Sequence, residues 1–280
     1  MRSIDYDKIV TEMAKLCRDA NYFLGDDVRD AYDRALAEEE SPTGKEIIEQ
    51  IKENTEIART EEVPMCQDTG IAVVFLEMGQ DVTVEGGSLY DAINEGVAEG
   101  YTSGYLRKSM VEHPFRRKNT GDNTPAIIHT KIVSGDQLKM TVAPKGAGSE
   151  NMSSINMMAP AAGEEGAKDF IIEAVRKAGP NPCPPIVVGV GIGGNFEKAA
   201  LLAKESLLRP VGQPSQDEEI AKMEQEVLDK IKRLGIGPQG LGGTSTALAV
   251  HIEVYPCHIA SLPVAVNINC HATRHKSIVL

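Results

Sequence analysis

Cysteines are the residues of this sequence with the richest chemistry, and one of the five stands beside an amide and an acid. Cys66 lies between Pro64 and Gly70, two turn-forming residues, and an apolar run that predicts a buried strand follows at once. Gln67 and Asp68 are its direct neighbours. Because a strand end holds its turn rigidly, we expect the thiol, the amide and the carboxylate to be presented together.

Two further cysteines share this setting. Cys183 lies in Gly179–Pro185, where four prolines exclude a helix interior and a central strand. Cys270 follows directly on the apolar run Leu262–Asn269. Three thiolates can hold three irons of a cubane cluster and leave the fourth iron open as a Lewis acid. Dehydration of a hydroxy acid fits such a site, provided that cations hold the carboxylates and an acid and a base move protons.

The remaining two cysteines have other settings. Cys17 falls on an apolar helical stripe with Ile9 and Met13, and we predict that it belongs to the core. Cys257 ends a predicted strand and stays unassigned. The odd count of cysteines and the absence of a Cys-x-x-Cys pair oppose a disulfide framework and a zinc ribbon.

Length and charge exclude several classes of protein. The 280 residues suffice for one large domain or two small ones. The net charge of −12 opposes nucleic-acid binding, which depends on Lys and Arg neutralising phosphates. No apolar run approaches the ~20 residues of a membrane helix, and the N-terminus lacks the apolar core of a signal peptide. We therefore predict a cytoplasmic protein with no membrane or nucleic-acid partner.

The elements that must position these residues indicate a mixed α/β (α+β) fold. Residues 5–60 have helical periodicity, and an α/β body follows whose glycine-rich loops we expect to gather on one face as the cluster site. We predict a single domain over residues 1–280. Ala126–Val133 and Leu138–Ala143, separated by a short polar turn, predict a hairpin, and no closing element is predicted after the loop that carries Cys270.

Two glycine-rich segments leave alternatives open. Gly189, Gly191 and Gly194 match the dinucleotide fingerprint, but a loop stands where the ribose-binding acid should follow. Close approach of the backbone to a neighbour or a ligand is the preferred interpretation, and an NAD-dependent oxidoreductase is the alternative. The loop Lys145–Asn151 suits an anion-binding nest as well as an ordinary mobile loop.

A resemblance to a known family rests on several segments that occur in order. They are Cys66–Gly70, Asn119–Pro125, Lys145–Asn151, Pro182–Pro185, Gly240–Gly243 and Cys270–His275. Together they resemble the class I fumarate hydratases and L-tartrate dehydratases, which are iron–sulfur hydro-lyases. The resemblance covers about residues 5 to 275 and is to the α subunit, equivalent to the N-terminal half of the one-chain enzymes. It implies a separate β subunit, in a heterodimer or heterotetramer, that supplies further site residues.

The resemblance also implies roles for individual residues. It makes Cys66, Cys183 and Cys270 the iron ligands of a 4Fe–4S cluster, with Cys257 as the rival to Cys270. Other residues that it brings to the substrate are Gln67, Asp68 (also in proton transfer), Arg107 (binding a carboxylate), Gly148 (through its backbone N–H) and His258 (as a catalytic histidine).

The implied activity is the reversible hydration of fumarate to (S)-malate. The alternative within the family is dehydration of L-tartrate to oxaloacetate. A non-catalytic interaction subunit is a further alternative, since this chain would carry only part of the site.

Overall fold

The computed structural model describes residues 2–280. Its α-helices are α1 (Tyr6–Tyr22), α2 (Asp26–Glu38), α3 (Pro42–Glu61), α4 (Leu89–Ser103), α5 (Ala147–Glu150), α6 (Gly163–Ala178), α7 (Phe196–Glu205) and α8 (Glu218–Lys232). Its strands are β1 (Arg2–Asp5), β2 (Ile71–Gly79), β3 (Val82–Glu85), β4 (Ile127–Val133), β5 (Leu138–Lys145), β6 (Ser154–Met158), β7 (Ile186–Gly193), β8 (Ala247–Tyr255), β9 (Leu262–Asn269) and β10 (Lys276–Val279). The predicted mixed α/β class, with helices before residue 60, is confirmed.

The chain divides into two compact units. Unit 1 contains the described residues up to Leu24, Asn54–Gly146 and Arg274–Leu280, and unit 2 contains Gly25–Glu53 and Ala147–Thr273. The single domain predicted over residues 1–280 stays a prediction. Within residues 2–280, none of the helices combines the length and apolar character that crossing a membrane requires.

Unit 1 is built on a four-stranded sheet of order β10-β5-β2-β4. The apolar strand β2 lies inside this sheet, parallel to β4 and antiparallel to β5, while β1 and β3 form a separate parallel pair. Helices α1 and α4 contribute to its core and pack closely, because a Cβ at Gly96 would lie 2.7 Å from the Val10 carbonyl oxygen. Cys17 is fully buried in this core, as predicted, and burial raises the pKa of its thiol to about 12.

Two expectations for unit 1 are wrong. The strands β4 and β5 exist, but they do not pair as a hairpin, because β2 lies between them. The apolar side chains of β2 are buried best at an inner position of the sheet, which the short turn between β4 and β5 does not reveal. The chain also has a closing element after Cys270, since β10 pairs antiparallel with β5.

Unit 2 is built on a sheet of order β6-β9-β7-β8, in which β7 is parallel to β8 and antiparallel to β9. One face is covered by α6 and α8, and α7 packs on the other. The fingerprint-like glycines serve this second packing. A Cβ at Gly189 would lie 2.2 Å from the Ala203 carbonyl oxygen, and one at Gly191 would lie 2.1 Å from that of Ala199. Both glycines lie inside β7 and allow α7 to approach the strand closely. This agrees with the interpretation that the sequence analysis preferred over a dinucleotide-binding turn.

Candidate functional site

In unit 1, the turn before β2 presents Cys66, Gln67 and Asp68 together. The half-buried Cys66 thiol donates to Gln67 Oε1 at 3.3 Å, and the backbone N–H of Gly70 donates to Asp68 Oδ1 at 3.0 Å. Gly70 has φ +73, and a Cβ there would lie 2.6 Å from the Lys145 backbone. Only glycine fits this position, so the turn has a single shape that sets the thiol and the carboxylate.

Buried polar groups anchor this turn from behind. The Tyr101 hydroxyl donates to the Thr69 carbonyl at 2.8 Å, and the Arg274 guanidinium donates to the Asp68 carbonyl at 2.7 Å. Arg274 is only 6% exposed and also donates to Asn21 Oδ1 at 3.2 Å. Sequence reasoning noted Arg274 only as part of a motif, and its role as a brace of the Cys66 turn was missed.

A second brace joins the turn to the segment of Arg107. The Thr69 hydroxyl donates to the Arg107 carbonyl at 3.1 Å. Asn123 is fully buried; its Oδ1 accepts from the N–H groups of Ser109 and Met110 at 2.6 and 3.1 Å, and its Nδ2 donates to the Gly70 carbonyl at 3.1 Å. The exposed Arg107 is thereby held on the same scaffold as Asp68. The motif Asn119–Pro125 contributes to the family resemblance, but its local sequence does not predict this function of Asn123.

In unit 2, the structure brings the loops of Cys183 and Cys270 together. The strands that they flank are antiparallel neighbours, and Val187 pairs with Asn269. His271 then joins the loops directly, because its backbone N–H donates to the Cys183 carbonyl at 3.0 Å. The Cys183 side chain is exposed and that of Cys270 is half-buried.

The same sheet carries Cys257 and His258 at its opposite end. Strand β8 runs parallel to β7, so these residues follow the end of β7 that is remote from Cys183. Along β7 from Val187 to Ile192, the backbone rises by about 16 Å. The structure therefore does not bring Cys257 or His258 to the loops of Cys183 and Cys270.

Gly148 belongs to the short helix α5, which replaces the nest or mobile loop considered for this segment. A Cβ at Gly148 would lie 3.5 Å from the Asn181 carbonyl oxygen, in the loop of Cys183. The carboxylate of Glu150 pairs with Lys204 at 2.7 Å. Gly148 thus lies beside the loop of Cys183, and Glu150, at the end of the helix, already forms an ion pair with Lys204.

Gln239 fixes the two cysteine loops of unit 2 at their base. Its side-chain Nε2 donates to the Pro184 carbonyl at 2.8 Å and lies 3.4 Å from His271 Nδ1, and its backbone N–H also donates to Pro184. Tyr32, from α2, donates its hydroxyl to the His271 carbonyl. These contacts limit the freedom of both loops, and neither residue was identified from the sequence.

An internal carboxylate holds the glycine-rich loop from which Gln239 comes. Glu39 is 2% exposed, and it accepts from four backbone N–H groups, including those of Thr244 and Ser245 at 2.9 and 2.7 Å. Burial opposes its ionisation, but the backbone donors outweigh burial and lower the pKa of Glu39 to about 2. A Cβ at Gly243 would lie 2.5 Å from this carboxylate, so the glycine makes room for it.

The donor set suits an iron–sulfur cluster better than a single ion. Within residues 2–280, no three His, Cys, Asp or Glu side chains lie close enough to hold one metal ion. A cubane cluster takes its thiolates on separate irons. Cys66, Cys183 and Cys270 lie on rigid loops with accessible or half-buried thiols, unlike the buried Cys17. These residues therefore fit the cluster chemically, and their role as ligands stays a prediction.

Comparison with known proteins gives a consistent result. The family model described as "Fumarate hydratase (Fumerase)" matches residues 10–279. A putative L(+)-tartrate dehydratase subunit alpha from Methanocaldococcus jannaschii is 44% identical over 273 residues, which is 95% of each chain. The L(+)-tartrate dehydratase subunit alpha of Escherichia coli K12 is 33% identical over 260 residues, which is 92% of this chain and 86% of that protein. The chain is therefore a hydro-lyase. It belongs to the fumarate hydratase family, as the motifs predict.

Proposed function

We propose that this chain is the α subunit of a two-subunit hydro-lyase that reversibly hydrates fumarate to (S)-malate, and that it works with a separate β subunit. The family is named after fumarate hydratase, and both relatives are named as alpha subunits. The observation that best supports the proposal is the hydrogen bond from the His271 backbone N–H to the Cys183 carbonyl, because it joins two of the loops that we predict to carry ligands.

The proposed cofactor is a 4Fe–4S cluster whose ligands are Cys66, Cys183 and Cys270. When bound, such a cluster supplies an open iron that acts as a Lewis acid towards a hydroxyl or carboxylate oxygen. The protein contributes ligand loops that hydrogen bonds hold in place, through Arg274 in unit 1 and Gln239 in unit 2. Rigid supporting contacts of this kind keep metal ligands oriented.

The residues beside Cys66 provide the groups for binding and proton transfer. We infer that Asp68 moves a proton to or from the substrate, since its Oδ1 is oriented by Gly70 and a Cβ at Gly146 would lie only 3.1 Å from its Oδ2. The Gln67 amide would orient the substrate, and the Arg107 guanidinium would bind one carboxylate. Gly148 would add a backbone N–H. The catalytic role predicted for His258 stays a prediction, and we assign it no step.

Dehydration of L-tartrate is the second candidate function. It is favoured by the names of both relatives, which are called tartrate dehydratase subunits. The hydroxy acids that the two reactions dehydrate, (S)-malate and L-tartrate, are C4 dicarboxylates that differ in one hydroxyl, so the same residues of this chain could serve either. Steady-state values of kcat/KM for fumarate, (S)-malate and L-tartrate, measured on one preparation, decide between them.

The test is anaerobic co-expression with the β subunit, followed by reconstitution and assay. We expect a broad brown absorption, about four irons per α chain, and hydro-lyase activity that the α chain alone does not show. A colourless and inactive complex after reconstitution would refute the proposal. Appreciable fumarate hydration by the isolated α chain would refute the need for a β subunit.

A further inference from the structure

A basic hairpin in unit 1 is held together by its own backbone hydrogen bonds. It comprises residues 110–120, and its arms are joined by the bridge between Val111 and Asn119 and by the bond from Glu112 N–H to the Lys118 carbonyl at 2.8 Å. At the tip, His113 Nδ1 accepts from the N–H of Phe115 at 3.2 Å. The hairpin therefore has a defined shape before it meets any ligand.

The surface of this tip resembles that of a protein interface. Phe115 is 89% exposed, although the chain has only five phenylalanines. Arg116 and Arg117 are its neighbours, and among residues 2–280 no acidic side chain pairs with either guanidinium. Exposed aromatic rings flanked by arginines are enriched where partner proteins bind.

The hairpin grows out of the scaffold that carries the proposed active site. Asn123 holds Ser109 and Met110, at the base of the hairpin, against the carbonyl of Gly70. The segment between the Cys66 turn and the hairpin tip is thus tied down by hydrogen bonds. Whatever binds the tip is placed at a defined position relative to Cys66 and Asp68.

The expected occupant is the β subunit. A C4 dicarboxylate presents two carboxylates, and the exposed Arg107, whose segment is braced on the Asp68 turn, can receive one of them. If the remaining groups come from the β subunit, that subunit must approach the same turn. The base of the hairpin is tied to that turn, and the exposed cations at its tip favour an acidic surface. Nucleic acid is disfavoured because the chain as a whole is acidic.

We propose that the basic hairpin docks on the β subunit, with Phe115 in an apolar socket and Arg116 and Arg117 against carboxylates at its rim. This inference rests on the proposed function, because it requires the two-subunit enzyme. It adds the surface through which the subunits associate near the active site. It also predicts that association weakens with salt, since exposed charge pairs are screened.

The experiment measures the affinity of the full α chain for the β subunit under anaerobic conditions, at low and high salt. We expect Phe115→Ser and the double change Arg116→Glu with Arg117→Glu each to weaken binding by about tenfold or more, as for central interface residues. The double variant should also lose most of the salt dependence. Thermal unfolding of each variant α chain should be unchanged, because these side chains are exposed.

Matched controls lie on unit 2. Phe196→Ser removes another exposed phenylalanine, and Lys177→Glu reverses another exposed cation on α6. Both controls should bind the β subunit as the unchanged chain does. Full affinity in the hairpin variants would refute the hairpin as the docking surface, but it would not contradict the proposal of a two-subunit enzyme. Failure of the unchanged chain to bind would refute both. A change in self-association of the α chain alone would assign the hairpin to a second copy instead.

Discussion

The sequence contains two Cys-His pairs that follow successive strands of one sheet, and their surroundings differ. Cys257 and His258 follow β8, and His258 contacts mainly its own turn, where its Nδ1 accepts from Ala260 N–H at 3.1 Å. Cys270 and His271 follow β9, and His271 is held by Cys183, Gln239 and Tyr32. The Cys-His dipeptide therefore has no fixed structural role. Its meaning depends on which end of the sheet it occupies.

The largest expected effect concerns the two cysteines themselves. Cys270→Ser should abolish cluster assembly, because it removes a thiol from the end where Cys183 lies. Cys257→Ser should retain the full iron content. Iron and sulfide analysis after anaerobic reconstitution with the β subunit checks both variants. Loss of iron in Cys257→Ser but not in Cys270→Ser would make Cys257 the third ligand in place of Cys270.

The next effect concerns the carboxylate that holds the glycine-rich loop. Glu39 has an ordinary pKa of 4.5 and a folded-state pKa of about 2, so its ionised form stabilises the fold by about 3 kcal/mol. Because the folded-state pKa is the lower one, this stabilisation is present above pH 4.5 and is lost as the pH falls towards 2. Glu39→Gln should lower the free energy of unfolding near neutral pH and flatten its dependence on pH in that acid window.

Denaturant titrations across the acid range measure the effect of Glu39. The matched control is Glu40→Gln, since Glu40 is the exposed neighbour of the same residue type. Equal pH dependence in the two variants would show that the Glu39 carboxylate does not hold the loop in solution.

A smaller effect is expected from Gln239. Gln239→Ala removes the side-chain donor to Pro184, a change that costs about 1 kcal/mol, and it leaves the fold intact. The looser cysteine loops should release iron to a chelator several-fold faster, while the initial iron content stays the same. Gln213→Ala, at an exposed position, is the control. Identical rates of iron loss in the two variants would show that the Gln239 side chain does not stabilise the ligand loops.

The smallest effect on iron is expected at His258. Because this residue lies at the remote end of the sheet, His258→Asn should leave both the iron content and the rate of iron loss unchanged. If the role implied by the family resemblance is right, turnover should nevertheless fall. Loss of the cluster in this variant would show that His258 has a structural role. The two Cys-His pairs would then not differ in their importance for the cluster.

Much of the secondary structure and the family could be predicted from local patterns. The periodicity of Ile9, Met13 and Cys17 correctly placed them on a buried helical face, and Leu262–Asn269 was predicted with its observed bounds. The short strands β1, β6 and β10 were missed, since strands of four or five residues carry little periodicity. The turn residues around Cys66 and the prolines around Cys183 were also sufficient to single out both thiols.

Pairing between distant strands was decided only by the tertiary structure. The insertion of β2 between β4 and β5 depends on burial across a whole sheet, which a hairpin-like turn in the sequence does not report. The braces Asn123, Gln239 and Glu39 act on residues far away along the chain, so their function cannot be predicted from local sequence, even though Asn123 lies in a recognised motif.

The chemistry available to this protein can be read from its sequence alone: three thiols on stiff loops, an acid and an amide beside one of them, and membership of a hydro-lyase family. The pairing of the strands in three dimensions determines which cysteine loops lie together within unit 2. Cys257 and Cys270 look alike in sequence, but β8 runs parallel to β7 and β9 runs antiparallel. Strand direction sends one cysteine away from Cys183 and brings the other beside it, because hydrogen-bond pairing fixes which strand ends share an edge of the sheet.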